Sequence, residues 1–331
     1  MFLTPLWAYL CYLLLSLLIN YHPAKAIGIP IIISPVNVFH PAWSLIGGFV
    51  KPLVLLFPLR WRRWSIFYTI HWPFEDKRRI HEELGDVFAI VNPWNIAVIV
   101  ADPVTAEAVL HRRKDFIKGK NFSIFDFYGK NVFSVDGEDW SRMRRIVSPI
   151  FNERASKSVW EESRRQATAM LEHWKSSSDG VVHSMLDDTR MIALHVLSAV
   201  GFGMRQEFGH GMADVKPGHS MAYGDALKGV LNYLGFLMLF SRRTLSLPFA
   251  PKAMKEAGMF MREFDSYMDE LLKDERQTIE NGEDDLTKQN LLSALIQASA
   301  EERDPKNRLT DEEIKGNLVI LNIAGHDTTA Q

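Results

Sequence analysis

Residues 309–331 read LTDEEIKGNLVILNIAGHDTTAQ, the stretch with the clearest periodic pattern in the chain. Thr310 precedes Glu313 at the spacing of a capping box, which satisfies free backbone N–H groups at a helix start. Asp311 and Glu312 place negative charge in the first turn, where the helix dipole favours it. Apolar and small residues then recur at helical spacing on one face, at Ile314, Leu318, Leu321, Gly325 and Thr328. The stretch therefore predicts a long helix whose face changes from bulky to small side chains.

The end of this predicted helix carries polar groups, because Asp327 and Thr328 put a carboxylate beside a hydroxyl in an otherwise apolar segment. One interpretation is structural: threonine hydroxyls in helices bond back to preceding carbonyls, and Asp327 would lie on a solvated face. The other is functional: Gly325 would let a flat molecule approach the backbone closely, with the polar pair beside it. The spacing alone leaves both interpretations open.

The composition bounds the class of protein. With 331 residues, the chain is long enough for one large domain or two smaller ones. Hydrophobic residues make up 47% of it, which argues against disorder, and the net charge of −2 argues against nucleic acid as a partner. Cys11 is the only cysteine, so an intrachain disulfide is impossible. Because H-E-x-x-H, P-loop, complete G-x-G-x-x-G and G-x-S-x-G motifs are absent, zincin, nucleotide-binding and serine-hydrolase activities have no motif support.

Residues 3–19 form an apolar run close to the length of a membrane-spanning helix. A cleaved signal peptide is the competing interpretation, since Ala24-Lys25-Ala26 resembles a cleavage site, but the run exceeds a typical signal-peptide core. Basic residues follow the run and none precedes it, so the positive-inside rule predicts a lumenal N-terminus and a cytosolic body. We therefore predict a single-pass transmembrane anchor at residues 1–22.

Residues 23–65 contain prolines too densely spaced for a continuous helix, and either a packed hinge or a membrane-surface segment would fit them. The remainder, residues 66–331, is the predicted main domain. Within it, residues 86–100 predict two short strands around a turn at Asn92-Pro93-Trp94-Asn95. A helix is predicted to begin at Asp102-Pro103. Further helical patterns cover residues 159–174, 185–200, 226–240, 254–273 and 291–298, and Gly201-Phe202-Gly203 predicts a helix stop after the second of these.

A second polar pair lies at Trp140 and Arg144, which are four residues apart and therefore share one helix face. An indole N–H and a guanidinium together can bind a carboxylate, which the guanidinium can hold in bidentate fashion. The competing interpretation is an exposed basic helix with Trp140 as packing, since aromatic and basic neighbours are common.

Two motifs carry a resemblance to a known family. Ala324-Gly325-His326-Asp327-Thr328-Thr329 resembles the A-G-x-[DE]-T-[TS] motif in the long distal helix of the cytochrome P-450 haem-thiolate monooxygenases. The Trp140–Arg144 pair resembles that family's W-x-x-x-R motif, and the two occur in the expected order behind the expected anchor. The resemblance implies a cytochrome P-450-like fold, mainly α with a small β region, in a membrane-anchored chain of the endoplasmic reticulum.

The resemblance also implies roles for individual residues. Thr328 would hydrogen-bond dioxygen and Asp327 would help to deliver protons, so both would be catalytic. Trp140 and Arg144 would hold a haem propionate, and Ala324 and Gly325 would lie against the haem. The implied cofactor is haem, with NADPH acting indirectly through a membrane-bound reductase. The implied reaction inserts one oxygen atom of O2 into a small apolar organic substrate.

One departure from the family pattern concerns the axial ligand. The family's E-x-x-R helix and its cysteine-containing haem loop lie beyond the distal helix, and neither is present in this sequence. Cys11, inside the predicted anchor, is interpreted as a small apolar residue. We therefore interpret the chain as C-terminally truncated, without a metal ligand and inactive by itself. The alternative function is a membrane-tethered helical binding or scaffold protein without catalysis.

Overall fold

The computed structural model describes residues 3–37, 63–69, 71–176, 181–182, 184–209, 215–282 and 290–330, together with residues 43, 47, 50 and 56. The chain divides into two compact units, residues 1–116 and residues 117–331. About half of the predicted hinge and membrane-surface segment, residues 23–65, lies outside the described residues. The predicted division at residues 22 and 65 therefore stays a prediction.

The first unit contains a small sheet and short helices. Strand β1, Ile31–Ile33, pairs in parallel with β2, Val87–Val91, and β2 pairs in antiparallel fashion with β3, Ile96–Val100. The sequence predicted the β2–β3 hairpin but not β1. The helices of this unit are α1 (Leu3–Ala26), α2 (Trp72–Asp76), α3 (Arg79–Leu84) and α4 (Pro103–His111), and a short 3-10 helix covers Arg63–Tyr68.

Side-chain hydrogen bonds stabilise the β2–β3 turn and the start of helix α4, both of which were predicted from the sequence. In the β2–β3 turn, Asn92 Oδ1 accepts from the backbone N–H of Trp94 at 2.9 Å and from that of Asn95 at 3.0 Å. At the start of α4, Asp102 Oδ2 accepts from the backbone N–H of Thr105 at 2.7 Å. These bonds satisfy backbone groups that a turn and a helix start leave free, so both predictions are confirmed.

Helix α1 contains the residues for which the transmembrane anchor was predicted. Among the described residues, no helix is both long enough and apolar enough to cross a membrane, so the predicted anchor at residues 1–22 is not supported. The helix continues past the apolar run into Asn20, His22 and Lys25. Its polar side chains contact the hairpin turn: Ser16 Oγ donates to the Pro93 carbonyl, and Asn20 Nδ2 donates to the Asn92 carbonyl at 2.9 Å.

In the described part of the second unit, the regular secondary structure is entirely helical. Its helices are α5 (Gly137–Val147), α6 (Glu153–Lys175), α7 (Met185–Phe202), α8 (Tyr223–Asn232), α9 (Leu234–Leu239), α10 (Arg242–Leu245), α11 (Lys252–Glu280), α12 (Leu291–Ala300) and α13 (Asp311–Ala330). Short 3-10 helices cover Lys120–Phe125, Ser148–Ile150 and Pro305–Asn307. Together with the small sheet of the first unit, these helices confirm the predicted fold class, mainly α with a small β region.

The core of the second unit forms where α7 packs against α6 and α13, and where α8 packs against α11. Phe264 of α11 is fully buried at its centre, and the hydroxyl of Tyr128 donates to the Met261 carbonyl of the same helix at 3.0 Å. Helix α7 ends at Gly203, whose φ of 72° is a left-handed conformation that glycine adopts without strain. This stop agrees with the predicted one.

Helix α13 is the predicted long helix, and its capping box is confirmed. The backbone N–H of Thr310 donates to Glu313 Oε2 at 3.0 Å, and the N–H of Glu313 donates to Thr310 Oγ1 at 3.2 Å. Burial is wider than the single predicted face, because Val319 and Ile320 are buried as well as Leu318. Two expectations on other helices were less accurate: the apolar stretch 226–240 is split into α8 and α9 at Tyr233, and α11 extends to Glu280.

Candidate functional site

A cavity of about 820 Å³ in the second unit is bordered by α7, α8 and the end of α13. Its interior is largely apolar, and its lining includes Phe125, Phe133, Met191, Leu194, Leu227, Leu231, Ile320, Ile323 and Ala324. Charged side chains also contribute, from Asp187 and Arg190 on α7 and from Asp225 and Lys228 on α8. A cavity of this size and composition can enclose a small organic molecule.

Two of the residues predicted for the site line this cavity, namely Ala324 and Thr328. The Thr328 hydroxyl donates a hydrogen bond to the Ala324 carbonyl one turn back. This is the helix bond that the structural interpretation of the motif foresaw. It uses the hydroxyl proton, while the oxygen keeps capacity to accept a further bond. The two interpretations are therefore compatible. Asp327 belongs to the same helix, and its side chain is not among those described.

Gly325 faces a neighbouring helix. A Cβ placed on Gly325 would lie 2.8 Å from Leu197 Cδ2 of α7, so a larger residue would force these two helices apart. The absence of a side chain therefore serves close packing between α7 and α13. A contact of Gly325 with a cofactor stays a prediction.

Helix α5 carries three arginines with different partners. Arg142 forms a two-pronged ion pair with Glu313 of α13, at 3.0 and 2.5 Å, and Arg145 pairs with Glu302 at 2.9 Å. Arg144 is exposed and forms no ion pair with any residue in the described ranges; its guanidinium lies 5.3 Å from the centre of the Trp140 ring. Among the three, Arg144 is therefore the cation that is open to an external carboxylate.

Lys118 belongs to this site, although sequence reasoning did not identify it. Its ammonium donates to the carbonyls of Val132, Phe133 and Val135 at 2.8, 2.9 and 3.1 Å. It also lies 5.8 Å from the Trp140 ring centre and 5.9 Å from that of Phe133. The rings connect the Trp140–Arg144 pair to the cavity wall, since Phe133 lines the cavity. A single lysine before an aromatic loop gave no signal in the sequence.

The environment of Lys118 alters its protonation. Burial is the largest influence and lowers the pKa of the Lys118 amine, the negative charge of Asp136 opposes this, and the positive charge of Arg144 lowers the pKa further. The proximity of Lys118 and Arg144 creates a local excess of positive charge. A ligand carboxylate placed here would be attracted by both cations.

These residues fit part of a haem. The cavity borders the small residue Ala324, and Arg144 can hold a propionate while Trp140 supports its guanidinium. The sequence's one cysteine, Cys11, is exposed on α1 of the first unit. The residues around the cavity therefore fit one face of a haem and one of its carboxylates, and no cysteine is among the lining residues.

Comparisons with known proteins agree with this arrangement. The family model described as Cytochrome P450 matches residues 56–331. The cytochrome P450 monooxygenase ORF6 of Penicillium roqueforti is 30% identical over 343 residues, which cover 99% of this chain and 58% of that protein. The monooxygenase prx9 of Penicillium rubens gives the same identity and coverage.

A third relative is the phomenoic acid biosynthesis cluster cytochrome P450 monooxygenase of Leptosphaeria maculans, 30% identical over 329 residues that cover 93% of this chain and 56% of that protein. The chain thus spans a little over half the length of these relatives. The family to which these proteins belong is one of haem-containing enzymes. A match over residues 56–331, together with a cavity bordered by Ala324 and Thr328, leads to one conclusion: this chain belongs to the cytochrome P450 family.

Proposed function

We propose that this chain supplies the distal half of a haem-dependent monooxygenase that inserts one oxygen atom of O2 into a small apolar organic substrate. The observation that carries the proposal is the cavity of about 820 Å³, whose mostly apolar wall includes Ala324 and Thr328 of the family motif. An apolar wall favours an apolar substrate, because burial of apolar surface drives its binding.

Each proposed residue role follows from chemistry at a stated atom. Bound haem would supply the oxygen chemistry. This chain would bind haem and substrate, orient them and deliver protons. Thr328 Oγ1, whose own proton is donated to the Ala324 carbonyl, would accept a hydrogen bond at the cavity wall, and Asp327 would deliver protons there through water. Arg144 and Trp140 would hold a haem carboxylate, and the small residues Ala324 and Gly325 would leave room beside α13.

The proposal includes partners that belong to the whole protein. A membrane-bound reductase would pass electrons from NADPH, and the endoplasmic reticulum membrane would hold both proteins with the body of this chain in the cytosol. Exposed apolar side chains on α1, including Trp7, Leu14 and Leu18, support contact of that helix with a membrane. Release of the chain from membranes by an alkaline wash would contradict this location.

The test of the proposed function uses Thr328. The chain is joined to the C-terminal segment of the Penicillium roqueforti relative, which supplies the rest of the family's length. We expect Thr328→Ala in this fused protein to lower the product formed per NADPH consumed by roughly tenfold or more, because general acid catalysis contributes at least that much. NADPH consumption and product are measured together, and haem content should stay close to that of the parent.

Two comparisons make this test specific. Thr328→Ser keeps a hydroxyl at the same position and should restore most of the coupling between NADPH consumption and product. The 331-residue chain alone should show no turnover, because none of the residues that line its cavity is a cysteine that could bind haem iron. Equal coupling in Thr328→Ala and the parent would contradict proton delivery by Thr328.

Arg144 provides a second test in the fused protein. Arg144→Ala should lower the haem retained after gel filtration severalfold, because one propionate loses a charged partner worth about 1.5–3 kcal/mol. Arg145→Ala is the matched control, since Arg145 already pairs with Glu302 and should retain haem at the parent level. Equal haem loss in both variants would show that Arg144 acts only through the general charge of α5.

The alternative of a membrane-tethered scaffold without catalysis receives no support from the comparisons, whose names all describe oxidising enzymes or cytochromes P450. No observation in the cavity favours it either, since a scaffold has no need of a largely apolar cavity beside the family motif. We therefore keep the monooxygenase as the proposed function.

A further inference from the structure

Two buried histidines line the cavity, His195 and His326, and the proposed mechanism uses neither; His195 is the more deeply buried of the two. His195 of α7 is only 1% exposed, yet it is one of the residues that line the cavity. The neighbouring cavity residues on the same helix are Met191 and Leu194, which are apolar. The charged lining residues Asp187, Asp225 and Lys228 are exposed, so they form the rim of the cavity and His195 lies inside it.

A chain of hydrogen bonds fixes which nitrogen of His195 carries the proton. Gln166 Nε2 donates to Glu162 Oε1 at 2.9 Å and to the Gln206 carbonyl at 2.8 Å. Both of these partners are oxygen acceptors, so the amide nitrogen must point at them and the amide oxygen must point away. Gln166 Oε1 in turn lies 3.1 Å from His195 Nδ1. Because that oxygen can only accept, Nδ1 must be the protonated nitrogen.

The charges around this network agree with that arrangement. Burial raises the pKa of Glu162, but the hydrogen bonds from Arg165 and Gln166 outweigh burial and lower the pKa overall, so Glu162 is a carboxylate acceptor. Burial is the largest influence on His195 and lowers the pKa of its ring, and the charge of Arg165 lowers it further. His195 is therefore neutral near pH 7, with a proton on Nδ1 and a lone pair on Nε2.

Nε2 is the remaining polar atom of the ring, and His195 is one of the residues that line the cavity. Within the described part of the chain, His195 Nδ1 bonds to Gln166 and Nε2 has no protein hydrogen-bond partner. An unprotonated ring nitrogen inside an apolar cavity can accept a hydrogen bond and cannot donate one. A ligand that fills the apolar space without a donor leaves this acceptor unsatisfied, which costs binding free energy.

We propose that His195 Nε2 accepts a hydrogen bond from the substrate, so that the cavity selects apolar compounds that carry a hydroxyl group. His195 is then a specificity-determining residue, and Gln166 is the residue that positions it. Ala324 and Thr328 line the same cavity from α13, so oxidation would occur at a carbon remote from the bound hydroxyl. The inference rests on the proposed function only in taking this cavity as the substrate site.

The test compares two cyclic probes of nearly equal size and shape, cyclododecanol and cyclododecanone. The alcohol can donate a hydrogen bond, whereas the ketone can only accept one. We expect calorimetry to show that the unsubstituted 331-residue protein binds the alcohol roughly tenfold more tightly than the ketone. One hydrogen bond to a buried acceptor contributes about this ratio of affinities. In His195→Phe, which keeps an aromatic ring, the two affinities should agree within about twofold.

Control measurements separate this effect from a change in folding. Met191→Leu alters the same cavity wall without a hydrogen-bonding group and should keep the preference for the alcohol. If His195→Phe does not fold, nitrogen NMR of the unsubstituted protein gives the answer, because the His195 Nε2 signal should shift with the alcohol and not with the ketone.

Four outcomes would overturn the inference: equal affinities in the unsubstituted protein, a preference for the ketone, binding of neither probe, or an alcohol preference that survives in His195→Phe. None of these measurements needs haem or turnover. The two proposals can fail separately. A preference for the alcohol that depends on His195 would support this inference, whereas an absence of turnover in the fused protein would contradict the proposed function.

Discussion

Replacement of Glu313 by alanine should lower the free energy of unfolding by about 3 kcal/mol, because the partly buried guanidinium of Arg142 loses its closest carboxylate and keeps longer contacts to Asp139 at 3.4 Å and to the Arg308 carbonyl at 3.2 Å. The two side chains are 12% and 14% exposed and joined by two hydrogen bonds, of 3.0 and 2.5 Å, between α5 and α13. The hydrogen bond and charge of Glu313 also raise the pKa of Arg142. Arginine stays charged at neutral pH even without such a partner, so the substitution leaves a cation with weaker pairing.

Glu313 has a second role that the same substitution removes. Its Oε2 accepts from the backbone N–H of Thr310 in the capping box, so the first turn of α13 loses a partner as well. Denaturant titration of the second unit's helical signal measures the loss. Glu172→Ala is the control, since Glu172 pairs with Lys175 on an exposed face at 3.0 Å and should change stability by less than about 0.5 kcal/mol. Equal effects of the two substitutions would show that the pair with Arg142 is not stabilising.

Features that depend on neighbouring residues in the sequence could be predicted. The capping box of α13, the β2–β3 hairpin and the left-handed stop at Gly203 each involve residues within a few positions of one another. The chemistry of these signals is local, because a hydroxyl, a turn amide or a glycine acts on backbone groups close to it. These elements therefore appear where the sequence places them.

Features that depend on distant residues could not be predicted. Strand β1 has only three residues, in a proline-rich segment, and pairs with β2 much later in the chain. The Gln166–His195 bond joins residues on two helices, and nothing in either helix pattern signals it. The same holds for Lys118, whose three carbonyl partners lie at residues 132–135. In each case the partner is brought close only by packing.

In the candidate site too, local spacing could be predicted from the sequence and contacts with distant residues could not. The motif identified Ala324 and Thr328, and both line the cavity, because a helix keeps residues at this spacing on one side. Gly325 was assigned to the same face, yet its Cα is turned to Leu197 of α7. Adjacent helical positions differ by about 100° in direction, so a motif of consecutive residues contacts more than one neighbour.

A close approach between α13 and the loop before α5 gives the second large effect. A Cβ on Gly316 would lie 2.5 Å from the Gly129 carbonyl oxygen and 2.7 Å from the Lys130 carbonyl oxygen. Both contacts are with backbone atoms, which have little freedom to move aside. The loop is also tied to α13, because Asn317 Oδ1 accepts from the backbone N–H of Val132 at 2.9 Å. The loop cannot retreat from Gly316 without breaking this bond.

We therefore expect Gly316→Ala to destabilise the second unit by about 2 kcal/mol. Alanine favours a helix over glycine by up to about 1 kcal/mol, but overpacking against fixed atoms costs about 3 kcal/mol here and outweighs that gain. Thermal unfolding of the purified protein measures the difference. The matched control is Gly201→Ala in α7, where an added Cβ meets no atom within 4 Å, so stability should stay unchanged or rise slightly.

Gly316→Ala should also alter the cavity, because the displaced loop contains Val132 and Phe133. The carbonyls of both residues accept from Lys118, and Phe133 lines the cavity wall. If the loop moves, Lys118 loses acceptors beside Trp140, and ligand affinity falls in Gly316→Ala while Gly201→Ala keeps the parent affinity. Parent stability in Gly316→Ala would show instead that the loop can move aside at no cost, and would contradict the packing role of this glycine.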